Sequence, residues 1–112
     1  MLLVEDHALV TDVLEVVLKR RGYDVVKTST GEEAKSVLES EDIPLLITDI
    51  ELPGISGLDL IRQLRSENRN ARIIAMSGRG DRVLAEALVF GADATLKKPF
   101  TSEALMVLLN RL

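Results

Sequence analysis

The sequence has no cysteine, which excludes disulfides and thiolate metal sites. It has no tryptophan and only three aromatic residues, Tyr23, Phe90 and Phe100, too few for a base-stacking platform. A single histidine, His7, leaves no imidazole cluster for a transition metal. No apolar run approaches the ~18 residues needed to cross a bilayer. The short apolar start, Met1 to Val4, leads at once into Glu5 and Asp6. It has no basic flank and no cleavage region, so no secretory signal is expected, and the expected compartment is the cytoplasm. The abrupt start also suits a piece of a longer protein. An excess of positive charge is missing too. The net charge of −4 argues against generic nucleic-acid binding.

What is present fits one globular domain over residues 1–112, with 46% apolar and 29% charged residues. A chain of this size buries roughly two thirds of the surface it exposes when unfolded. Short apolar runs alternate with segments of helical period. Leu2 to Val4 reads as a strand. Ala8 to Arg21 reads as a helix, with apolar residues at Leu9, Val10, Val13, Leu14, Val16, Val17 and Leu18 and a polar face at Asp12, Glu15 and Lys19. Gly22 ends it, and Tyr23 to Thr28 reads as a second strand. Thr30 and Glu33 have the spacing of a capping box, opening a helix to about Ser40. Leu45 to Thr48 forms a third strand ending at Asp49, and Ser56 caps the helix that follows. Arg72 to Met76, Val83 to Phe90 and Ala94 to Lys97 read as strand, helix and strand. A last helix starts at Thr101, between Phe100 and Leu105. Five strand–helix units with apolar, non-alternating strands predict a doubly wound parallel α/β sheet. No linker, repeat or low-complexity stretch interrupts it.

In such a sheet, ligands bind beyond the carboxyl ends of the strands. Those ends carry Glu5 and Asp6, then Asp49, then Ser77, then Lys97 and Lys98 before Pro99. Carboxylates brought together repel and call for a cation. Oxygen ligands alone favour Mg²⁺. A carboxylate is also a nucleophile able to form an aspartyl phosphate, and a lysine, a hydroxyl and a metal supply what phosphoryl oxygens need. His7 beside the acids reads as a polar residue opening the first helix rather than as a ligand.

At these residues the chain resembles the response-regulator receiver (CheY-like) family of two-component phosphorelay signalling. The resemblance covers essentially the whole chain and implies a flavodoxin-like (βα)5 sheet of strand order 2-1-3-4-5. It is carried by Leu2-Leu3-Val4-Glu5-Asp6, by Ile47-Thr48-Asp49-Ile50-Glu51-Leu52-Pro53-Gly54, by Met76-Ser77-Gly78 and by Gly91 to Phe100. It implies that Asp49 takes a phosphoryl group from a phosphohistidine on a sensor histidine kinase or histidine phosphotransfer protein. Asp6, Asp49 and the backbone carbonyl of Glu51 would bind Mg²⁺, with Glu5 acting mainly through water. Ser77 and Lys98 would contact the phosphoryl group. Lys98 is chosen over Lys97 because it directly precedes Pro99, in a bond the family usually holds cis. The domain would assist its own phosphorylation and dephosphorylation rather than turn over an external substrate. An attached kinase or effector domain, and a homodimer, are compatible partners.

The chain departs from the family at Thr95, where many receivers carry an aromatic ring that follows the hydroxyl residue inward. Glu51 and Arg79 are expected to flank the mouth of the site and to attract each other across it, slowing hydrolysis. The apolar last helix, with Met106 and Val107 beyond its core stripe, is expected to pack deeply or to meet a partner. Three other readings compete. A receiver-shaped docking module would ignore phosphorylation. A small Mg²⁺-dependent phosphatase would need a substrate cap for which this chain has no room. A flavin or nucleotide module would need phosphate-binding donors where Glu5 and Asp6 stand.

Overall fold

A computed structural model describes all residues, 1–112. The elements run β1 (Leu2–Val4), α1 (Ala8–Arg20), β2 (Val26–Thr28), α2 (Gly31–Ser40), β3 (Leu45–Asp49), α3 (Gly57–Glu67), β4 (Arg72–Ser77), α4 (Asp81–Phe90), β5 (Ala94–Lys97) and α5 (Ser102–Arg111). The five strands form one parallel sheet in the order β2-β1-β3-β4-β5. This is the predicted doubly wound arrangement. Parallel strands joined by helical crossovers have helices on both faces. Successive residues of each inner strand therefore enter opposite cores. Leu2, Leu46 and Ile73 pack with Leu38, Ile61 and Leu84 from α2, α3 and α4. Leu3, Ile47 and Ile74 pack with Leu14 and Leu18 of α1 and with Leu105 and Leu109 of α5. Each such buried side chain contributes about 1.5–3 kcal/mol over exposure.

Several element ends differ from expectation. The second strand begins at Val26 rather than Tyr23. Its only neighbour is β1, which pairs Leu2 with Val26; ahead of it the Tyr23 N–H donates back to the Leu18 carbonyl at 3.2 Å, in the turn that closes α1. Helix α4 starts at Asp81 rather than Val83. Gly80, with φ +117°, turns the chain, and the Asp81 carboxylate suits the positive helix end. The Thr30 hydroxyl accepts the Glu33 N–H at 3.2 Å. The Glu33 carboxylate returns to the Ser29 and Thr30 hydroxyls at 3.0 and 3.2 Å. Those hydroxyl bonds hold its pKa below the ordinary value.

Helix α1 carries more apolar residues than one stripe can bury. Thr11, Leu14 and Leu18 face the core, while Leu9 and Val13 are 74% and 61% exposed. In α5, Leu105 and Leu109 are buried, Met106 and Leu108 pack partly against that core, and Val107 is half exposed. No helix is long and apolar enough to cross a membrane.

Arg65, near the end of α3, ties the amino-terminal edge of the sheet together. Its guanidinium donates to the carbonyls of Gly91, Ala71 and Arg69 at 2.9, 2.7 and 2.9 Å. It also pairs with Asp93 at 2.8 Å, and the same Asp93 oxygen accepts the Ile73 N–H at 2.8 Å. Gly91 has φ +122°, and a Cβ there would lie 2.8 Å from the Arg65 Cγ, so only glycine fits. Arg65→Ala should therefore cost about 2–3 kcal/mol, the worth of charge-assisted bonds whose acceptors are left behind. Urea unfolding monitored by circular dichroism measures that loss, and an unchanged midpoint would contradict it.

Candidate functional site

Beyond the carboxyl end of β1 the chain turns so that Glu5 is buried and Asp6 is exposed. The turn is held from two sides. The Glu5 N–H donates to the Thr28 carbonyl at 3.2 Å, and the Thr11 hydroxyl donates to the Glu5 carbonyl at 3.2 Å. Glu5 Oε2 accepts the His7 N–H at 3.1 Å. Sequence reading did not single out Thr11, because a lone threonine on a helix carries no local sign that it supports a neighbouring turn.

Asp49 is the last residue of β3, on a strand buried throughout. Its Oδ1 accepts the Glu51 N–H at 3.1 Å, and its Oδ2 accepts Lys98 Nζ at 2.7 Å. The following loop crowds this backbone. Gly57 donates its N–H to the Ile50 carbonyl at 3.0 Å, and a Cβ at Gly57 would stand 2.1 Å from the Asp49 carbonyl oxygen. Ser56 caps α3 by accepting the Leu58 N–H at 3.0 Å, and Glu32 of α2 steadies the loop by accepting the Ile55 N–H at 3.3 Å.

Lys98 reaches in from the end of β5. Its N–H donates to the Ser77 carbonyl at 2.8 Å, the Lys98–Pro99 bond is cis, and its ammonium bridges Glu5 and Asp49. Lys97 instead points outward to Asp81 at 3.6 Å. Glu5 has a raised pKa. Burial is the main cause, opposed by hydrogen bonds from Lys98 and the His7 N–H. For Lys98, burial alone favours the neutral amine, but hydrogen bonds to Asp49 and Glu5 outweigh it and raise its pKa. The ammonium is thus kept charged between two carboxylates.

Glu5, Asp6 and Asp49 each offer an oxygen, and these oxygens all lie within 4.8 Å of one another. Three acids so close, one of them with its protonated form favoured by burial, fit a hard divalent cation with oxygen ligands. A cleft of about 580 Å³ opens beside them, lined by Asp6, Glu51, Leu52, Arg79 and Glu86 among others.

Ser77 ends β4 and is fully buried. Its hydroxyl donates to the Glu51 carboxylate, 2.8 and 2.9 Å from the two oxygens, and accepts the Arg79 N–H at 3.0 Å. Glu51 and Arg79 form no ion pair. The Glu51 carboxylate is held by the Ser77 hydroxyl instead, while both Glu51 and the exposed Arg79 line the cleft. Thr95 is half-buried in β5, in register with Ala75. His7 precedes α1 without a side-chain cap bond, as a helix-opening residue.

Comparison with known proteins gives a consistent picture. The sequence profile of the response regulator receiver domain matches residues 1–110. The two-component response regulator PhoP of Pseudomonas aeruginosa is 40% identical over 115 residues, covering 100% of this chain and 50% of that protein. The chain spans about half the length of the curated relatives it matches. The receiver domain of sensor histidine kinase PA1611 from P. aeruginosa PAO1, solved with magnesium in its active-site cleft, superposes with a TM-score of 0.85 at 33% identity, covering 98% of this chain and 93% of that one. A Burkholderia pseudomallei response regulator with a phosphorylated aspartic acid, calcium and citrate gives 0.85 at 30% identity, covering 95% and 63%. With its 2-1-3-4-5 sheet and acids gathered at one sheet end, this chain belongs to the response regulator receiver domain family.

Proposed function

We propose that the chain is a phosphorylation-controlled signalling receiver that takes a phosphoryl group from a phosphohistidine onto Asp49. The observation that carries this reading is the bridge of Lys98 between buried Glu5 and Asp49, with Asp6 beside them. It provides a nucleophile, a fixed cation and a divalent-ion cradle in one pocket. An Asp49 oxygen attacks phosphorus as the phosphorus–nitrogen bond breaks, and the imidazole leaves with the electron pair. Lys98 then shares its charge with a phosphoryl oxygen, and Ser77 offers a hydrogen bond to another. Asp6, Asp49 and the Glu51 carbonyl would hold Mg²⁺ directly, and Glu5 through water. When bound, the metal neutralises charge on the transferring group. The magnesium in the PA1611 receiver and the phosphorylated aspartate in the Burkholderia regulator support both parts. The direct test is labelling with acetyl phosphate and Mg²⁺, read by intact mass.

The phosphodonor needs a surface to sit on. An apolar groove of about 590 Å³, lined by Leu9, Val13, Pro99 and Phe100, runs directly up to Lys98. A helical donor protein seated there brings its phosphohistidine towards Asp49. Leu9→Glu should lower transfer about tenfold from any phosphohistidine protein that labels the wild type. Labelling by acetyl phosphate, which needs no protein surface, should not fall. Equal losses with both donors would contradict the docking role. An attached effector domain, if this chain has one, would carry the output.

A further inference from the structure

A serine hydroxyl has one proton to give. In Ser77 that proton faces the Glu51 carboxylate, with oxygens at 2.8 and 2.9 Å, and the Arg79 N–H occupies an acceptor position at 3.0 Å. Ser77 is fully buried and Glu51 partly so, and the acceptor is ionic, which makes the bond one of the stronger kinds. Glu51 is tied to the site at both ends. Its backbone N–H holds the nucleophile, Asp49 Oδ1, at 3.1 Å, and its side chain holds the hydroxyl. A phosphoryl group on Asp49 has to recruit the same proton.

We infer that Glu51 is a built-in competitor of the phosphoryl group for the Ser77 hydroxyl, a positioning residue whose displacement is the first movement of the switch. This rests on the phosphoacceptor reading above and adds the internal partner that the incoming group must evict. The evicted carboxylate has somewhere to go. The adjoining cleft is lined by Leu52, Arg79 and Glu86, and the Arg79 guanidinium has no ion-pair partner. Movement of Glu51 towards Arg79 alters the loops after β3 and β4 together. It needs no bulky side chain at Thr95, which is small and half-buried. The relay thus runs through the residue two places after the nucleophile.

Titration with beryllofluoride and Mg²⁺, a stable phosphoryl mimic, tests this in a double-mutant cycle. Glu51→Ala should tighten the mimic about tenfold where Ser77 is present, the worth of a hydrogen bond to a charged group. In the Ser77→Ala background the gain should vanish. In the Ser77→Thr background, which keeps a hydroxyl, it should return. Equal gains in all backgrounds would mean simple charge repulsion and would overturn the competitor role alone. A wild type that fails to bind the mimic would overturn the phosphoacceptor reading and this inference with it. As an independent readout, the Glu51 side-chain carboxyl carbon signal of the Mg²⁺-bound wild type should shift at saturating mimic, and an unmoved signal would overturn the displacement.

Discussion

Incubated with acetyl phosphate and Mg²⁺, the wild-type chain should gain one phosphoryl group, and Asp49→Asn should gain none. Asparagine keeps the size of the side chain and an oxygen able to accept the Glu51 N–H, which now reaches Asp49 Oδ1 at 3.1 Å. What it removes is the anionic nucleophile, since an amide oxygen does not displace a phosphoryl leaving group under these conditions. The substitution therefore separates chemistry from fold, and circular dichroism should show the same helices in both proteins. Chelating the metal should slow wild-type labelling by roughly a hundredfold or more, the scale expected when charge stabilisation of a transferring group is lost. The label should be hydroxylamine-labile, as an acyl phosphate is. Labelling of the Asp49→Asn protein, or a stable ester mapped to Ser77, would contradict the assignment.

Lys98→Met should have the largest effect on stability, about 3 kcal/mol at neutral pH in metal-free buffer. Lys98 bridges Glu5 and Asp49, whose side chains are 1% and 7% exposed. Methionine fills a similar volume but leaves two buried carboxylates facing each other with no cation. Removing one partner of a buried pair typically costs about 3–5 kcal/mol. The pH dependence has a definite sign. Glu5 already has a pKa raised above its ordinary 4.5, mainly by burial, and Lys98 is the chief group opposing that rise. Without Lys98 it rises further. A carboxyl whose folded value lies above its unfolded value contributes stability that is complete below the unfolded value and is lost as pH rises through the folded one. The deficit of the variant should thus shrink towards pH ~4.5 and grow towards neutrality. Mg²⁺ should restore part of it, because the cation takes over the screening of the same acids. Urea melts at two pH values, with and without Mg²⁺, measure all three effects, and a deficit independent of pH and metal would contradict the electrostatic origin.

Much of this site can be read from the chain because its parts stand at strand ends. Short apolar runs mark the strands, and a polar residue directly after such a run has to lie at the sheet rim. Asp49, Glu5 and Lys98 are visible for that reason. What escapes sequence reading depends on partners far along the chain. Arg65 looks like any arginine late in a helix, yet its acceptors include Gly91 and Asp93 in the β4–β5 crossover. The start of β2 is set by the turn before it, where the Tyr23 N–H bonds the Leu18 carbonyl, a partner that the residue types Tyr23 and Val25 do not reveal. The burial of α1 is similar. Leu9 and Leu14 are both leucine, and only the packing of the helix on β1 and β3 decides that Leu14 enters the core. The Glu51–Ser77 bond escapes because the two residues belong to different loops, and Arg79 offers Glu51 a more obvious partner by charge.

The Arg65 cluster has a mechanical consequence. It clamps the ends of α3 and α4 to the starts of β4 and β5, at the rim opposite Asp49. Strands held together at that rim resist tilting against one another, so a change at Asp49 is expected to be felt first in the loops beside it, where a responding partner would have to bind.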